Sequence, residues 1–93
     1  MRLSEEERQA ILGAIATRDA SAEVYLFGSR VDDNAKGGDI DILVLSGKIG
    51  FSGKLDILVD LHKRLGDRKV DLVVAPDLKR PFTRIAISRG VKL

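Results

Sequence analysis

The chain contains no cysteine and no tryptophan, and only one histidine, one tyrosine, three phenylalanines and two prolines. The absence of cysteine excludes a disulfide framework, a Cys-ligated zinc site and thiol catalysis. With so few rings, the core must be built from Ile, Leu and Val. The lone histidine, His62, has no second nucleophile near it in the sequence and falls in a stretch of helical spacing, so it reads as packing or surface. No Ser-His-Asp arrangement can be assembled without it. Apolar runs never approach the ~18 residues that a membrane helix needs. The opening MRLSEEERQ is charged and lacks the apolar core of a signal peptide. The expectation is a soluble, cytoplasmic protein with no membrane partner. A large excess of one charge is also missing: 16 basic against 14 acidic residues give a net charge of +2. That is not the footprint of a dedicated nucleic-acid binder, and nucleic acid is not the expected substrate.

The remaining composition is globular, 44% hydrophobic and 32% charged over 93 residues, which suits a single domain spanning 1–93. A chain of this size buries only about 60–68% of its unfolded surface, enough for one modest core. The basic residues gather late, as Lys63, Arg64, Arg68, Lys69, Lys79, Arg80, Arg84, Arg89 and Lys92. They read as solvated surface, with contacts to phosphate or to an acidic partner as the alternative.

Helix and strand patterns alternate along the chain. Ser4 followed by Glu5-Glu6-Glu7 is a capping box ahead of Ile11, Leu12 and Ile15, predicting a helix over 4–18. Residues 23–27 read as a strand that ends in a turn at Gly28-Ser29. A polar, turn-rich stretch to Gly38 follows, in which Asp32, Asp33 and Asn34 are turn formers. DIDILVL (39–45) is a second strand. Ser52 is expected to cap a helix carrying Leu55, Leu58, Val59, His62 and Leu65 on one face, closed by Gly66. KVDLVVA (69–75) is a third strand, residues 81–89 a last helix stopped by Gly90, and 91–93 a short edge strand. About eleven residues join the first two strands, marginal for a parallel crossover, so these two are expected to be antiparallel. The predicted class is α/β (α+β mixed), a small mixed sheet of three to four strands with helices packed on one face.

The chemistry lies in the acids. Side chains alternate across a strand, so Asp39 and Asp41 share one face while Ile40, Ile42 and Val44 point to the core. In the third strand Val70, Leu72 and Val74 carry the core pattern, which turns Asp71 outward. If the two strands are neighbours, three carboxylates converge on one open face. Such a group repels itself unless a cation joins it, and hard oxygen donors suit Mg²⁺. Two ions would orient an attacking hydroxyl and neutralise a leaving pyrophosphate, with Asp71 as third ligand and as the base for the hydroxyl proton. An EF-hand is excluded, because Ile42, Leu43 and Val44 stand where further oxygen ligands belong. Gly28 after a strand lets the backbone approach a ligand, and Ser29 offers a hydroxyl and an amide to phosphate. Arg30 either adds charge to that grip or is exposed. A P-loop is excluded at 48–55, where Lys48 replaces its first glycine and Leu55 its Ser or Thr. Leu43 and Val73 share the parity of the acids. They are available to a nucleotide base, a partner subunit or a second copy of the chain, unless a short edge helix covers them.

Taken together, LFGSRVDDNAKGGDIDILV (26–44) resembles the signature of the DNA polymerase beta-like nucleotidyltransferase superfamily: an apolar strand, Gly-Ser, a short spacer, then Asp-x-Asp in a second strand. KVDLVVA is similar to the strand carrying the third acid, and the ending ISRGVKL is similar to the minimal nucleotidyltransferases of prokaryotes. Nine residues separate Ser29 from Asp39 where related minimal proteins often have ten, which implies a tighter turn with the acids intact. The resemblance implies the nucleotidyltransferase fold, Gly28, Ser29 and Arg30 at the nucleotide phosphates, and Asp39, Asp41 and Asp71 as catalytic metal ligands for Mg²⁺. It further implies ATP as substrate, AMP transferred to a hydroxyl of a partner protein, and a HEPN-domain toxin as that partner, with this chain as antitoxin. A chain this short has little room for an acceptor-binding domain, which favours an acceptor that brings its own surface. The alternative is a non-catalytic module that neutralises a toxin by masking it.

Overall fold

A computed structural model describes residues 3–28, 39–66 and 68–93. Its elements run α1 (Glu5–Ala16), β1 (Glu23–Phe27), β2 (Ile40–Leu45), α2 (Phe51–Leu65), β3 (Val70–Ala75), α3 (Pro81–Arg89) and β4 (Val91–Lys92). The predicted capping box opens α1: the Ser4 hydroxyl accepts the Glu7 N–H at 3.0 Å, and the Glu7 carboxylate accepts the Ser4 N–H at 3.0 Å. Gly66 closes α2 as expected, with φ 73° and its N–H donating to the His62 carbonyl. The start of α2 differs from expectation. The helix begins one residue before Ser52, on Gly50 as N-cap, and no side chain caps it.

The four strands form one sheet in the order β3-β2-β1-β4. β1 pairs antiparallel with both β2 and β4, and β2 pairs parallel with β3. The long crossover that a parallel pair requires is α2. α1 and α2 cover one face, where Ile11, Ile15, Ile57 and Leu61 pack on Leu26, Ile40, Ile42 and Val44, all at most 1% exposed. Each such aliphatic side chain contributes about 1.5–3 kcal/mol by leaving water. The α2 face is not quite the predicted one. Ile57 and Leu61 are buried with Leu58 and Leu65 beside them, whereas Leu55 and Val59 are 45% and 56% exposed and His62 is exposed.

The mixed α/β sheet agrees with expectation, but not all helices lie on one face. α3 packs on the opposite face, the one that carries the acids. Leu43 alternates with Ile42 and Val44, so it points away from α1 and α2, yet it is 0% exposed. Phe82 of α3 meets Phe27, which alternates with core Leu26, edge to face at 5.9 Å. Small residues on the inner side of α3, Thr83 and Ala86, are buried and let the helix sit close. Gly90 completes this approach: a Cβ there would lie 2.6 Å from the Ala86 carbonyl oxygen and 2.7 Å from that of Leu26. Among the described residues no helix is long and apolar enough to cross a membrane.

Candidate active site

The β2–β3 register sets Asp41 directly opposite Asp71, and the β1–β2 register sets Phe27 opposite Asp41. The strand neighbourhood that parity alone leaves open is therefore present. Both carboxylates stand on the α3 side of the sheet, at the amino ends of their strands, with Asp71 exposed and Asp41 half-buried. Burial comes first in pushing the Asp41 carboxyl above the usual range, followed by its hydrogen bond with Asp71 and the charges of Asp71 and Asp39; the Lys69 ammonium opposes them. The carboxylates beside Asp41 and its burial thus disfavour its ionisation, which is the electrostatic state that a bound cation relieves.

Gly28 closes on this pair from β1. It has φ 77°, and a Cβ there would lie 2.4 Å from Asp41 Oδ2. Glycine is needed twice, for the left-handed backbone and for the space that the carboxylate fills. Its predicted partners in the phosphate grip, Ser29 and Arg30, lie outside the described residues, as do the turn formers Asp32, Asp33 and Asn34 and the Gly-Gly pair at 37–38.

Asp39 stands one residue before β2, its side chain 51% exposed and 3.9 Å from the Lys69 ammonium. Backbone pairing holds it in place, because the next residue, Ile40, donates its N–H to the Lys69 carbonyl at 2.9 Å. Among the described residues, no group of three or more His, Asp or Glu side chains is arranged to hold a metal ion. The convergence is of two carboxylates, with the third on the adjoining position. This donor set still fits Mg²⁺, which uses one or two carboxylates and completes its shell with waters and substrate phosphates rather than with an all-protein cage. The Lys69 ammonium beside Asp39 has one signal in the sequence, its parity with Asp71 in KVDLVVA. Phe27 and Phe82, which wall the site beside Asp41, carry no sequence signal beyond being two of three phenylalanines.

The sequence profile described as Polymerase beta, Nucleotidyltransferase matches residues 9–93. No curated protein matches the chain significantly.

Proposed function

The chain belongs to the Polymerase beta nucleotidyltransferase family, and on that premise we propose that it transfers AMP from ATP, with Mg²⁺, to a hydroxyl of a partner protein. The observation that carries this reading is the Asp41–Asp71 rung with Gly28 pressed against Asp41. In this reading Asp39, Asp41 and Asp71 hold the metal, two ions in its full form, and Gly28, Ser29 and Arg30 meet the nucleotide phosphates. Mg²⁺, when bound, supplies charge neutralisation at the triphosphate and lowers the pKa of the attacking hydroxyl. The acceptor oxygen bonds to the α-phosphorus of ATP as the bond from that phosphorus to the oxygen bridging the α- and β-phosphates breaks. Pyrophosphate leaves, and the hydroxyl proton passes to the Asp71 carboxylate, which is exposed and able to reach an acceptor. Positioning and charge compensation account for most of the catalysis in such transfers, and a small site can supply both. The family resemblance makes a HEPN-domain toxin the partner, and this chain its antitoxin.

The test is transfer of label from α-labelled ATP to a HEPN-domain partner. We expect labelling that requires Mg²⁺ and is lost with Asp39→Asn plus Asp41→Asn. Unlabelled partner under saturating Mg²⁺ and ATP overturns the reading. One observation favours the alternative, a binding module that masks its partner. Phe51, Leu55 and Val59, at helical spacing on α2, are 76%, 45% and 56% exposed, an apolar stripe suited to a protein surface. If the double variant protects cells from the toxin as well as the parent does, masking is the activity.

A further inference from the structure

Two cavities of about 470 and 460 Å³ lie side by side over the carboxyl end of β3 and share Val73, Val74, Pro76 and Arg80. Among the described residues β3 is an edge strand, paired only with β2. The first cavity is walled by Phe51 and Lys54 at the start of α2. The second is walled by Lys79, in the loop before α3, and by Phe82 in its first turn. The joined groove begins beside the acids: Val73 is the next residue after Asp71 on that face of β3, and Phe82 packs on Phe27, opposite Asp41.

Its lining gathers three cations, Lys54, Lys79 and Arg80, in one place. Elsewhere among the described residues Arg18 is matched with Asp56, Arg64 with Asp60, Arg68 with Glu7 and Lys92 with Glu23, while Lys48, Lys63 and Arg89 stand singly outside any ion pair. Lys54, Lys79 and Arg80 form no ion pair with a described residue. Asp77, the one acid among the described lining residues, accepts the Lys79 N–H at 2.9 Å. The loop that presents the cations is braced by Arg84, whose guanidinium donates to the Leu78 and Lys79 carbonyls at 2.6 and 2.8 Å. α2 and α3 both start here with no acid in the first turn and no side-chain cap, which adds positive potential.

Building on the protein-acceptor reading above, we propose that this groove docks the acceptor protein through an acidic, partly apolar segment. Extended chain covers about 3.3 Å per residue, so acids about four to six residues from the acceptor hydroxyl reach the cations while the hydroxyl lies at Asp71. Charge complementarity selects this occupant. Nucleic acid is disfavoured, because three cations on an aliphatic floor that also carries Asp77 are too few to track a phosphate backbone.

The experiment measures binding in EDTA without nucleotide, which separates it from the chemistry. The probes are a fluorescent decapeptide with one tyrosine and Glu-Leu-Glu-Glu beginning four residues on, its Gln-Leu-Gln-Gln counterpart, and a single-stranded DNA decamer. We expect the acidic peptide to bind best, weakly and with salt sensitivity, and Lys54→Glu plus Arg80→Glu to weaken it roughly tenfold or more. The variant should keep the parent's circular dichroism and Mg²⁺–ATP affinity. Equal binding of the neutral peptide, preference for the DNA, no loss in the variant, or no acidic-peptide binding at millimolar concentration each overturns the proposal. A failed label-transfer assay beside intact acidic-peptide binding overturns the catalytic reading instead.

Discussion

At Asp41 the fold holds a carboxyl where its charge is unwelcome, half-buried and facing Asp71. Its raised pKa fixes the sign of a stability effect: folding favours the protonated form, so its contribution is most favourable at low pH and declines as pH rises through the folded value. Asp41→Asn removes that decline while abolishing transfer. In EDTA, the melting temperature of the variant should match the parent's near about pH 3, below the usual carboxylate pKa, and exceed it at neutral pH. A gain that is the same at both pH values would mean that charge is not its cause. Gly28→Ala is expected to go the other way. The positive φ alone costs about 1–2 kcal/mol in an L-residue, and the new methyl would overlap the Asp41 carboxylate. Urea unfolding should show the loss, and a double-mutant cycle with Asp41→Ala should show less than additive cost, because part of the strain lies between the two side chains.

Among the elements, α3 does most to shape the acid face, and two substitutions probe how. Gly90→Ala would drive a methyl into two backbone carbonyls, and overpacking of that kind costs about 1–3 kcal/mol. Leu43→Ala removes a fully buried side chain from beneath α3 and should cost about 2–5 kcal/mol. Denaturant midpoints measure both. The strands and their acids are legible in the sequence, because alternation of Asp with Ile or Leu places the acids on one face of a strand and the aliphatic residues on the other. α2 was not legible to the same degree. It carries two apolar rows at helical spacing, Leu55-Val59 and Ile57-Leu61, and periodicity cannot say which row meets the sheet. Gly90 does stop α3, as its C-cap, but with φ −89° the reason for glycine is the closeness of β1, a contact that sequence spacing does not encode. Ser52 is a good cap by residue type, but the chain turns into α2 at Gly50, a choice that residue type does not encode.

Across the whole molecule, the site rests on the pairing of β2 with β3, whose register joins residues thirty apart and so cannot be read from any local window. What the sequence did carry was the face of each acid. The two loops at the far end of the sheet are tied by Asp19, which is 7% exposed. Its carboxylate accepts the Ser46 hydroxyl at 2.6 Å and the Ser21 hydroxyl and N–H at 2.7 and 3.0 Å. Ser46 in turn accepts the Lys48 and Ile49 N–H groups. The Ser46 hydrogen bond first, then those of Ser21, hold the Asp19 carboxyl below its usual range. A lowered pKa gives stability that is present above the unfolded value, about pH 4, and is lost as pH falls through the folded value. The parent should therefore melt above Asp19→Asn at neutral pH, with the gap closing in acid; a gap constant down to acid pH would place the effect in shape rather than charge.

The central position of β2 also sets an order of assembly. On a ribosome, residues through 50 emerge first, enough for α1, β1 and β2, with Asp41 already set opposite Phe27 by the antiparallel pairing. Asp71 arrives only after α2 has been made and has crossed the sheet. A half-synthesised chain therefore lacks one of the three acids and the whole edge strand that carries it.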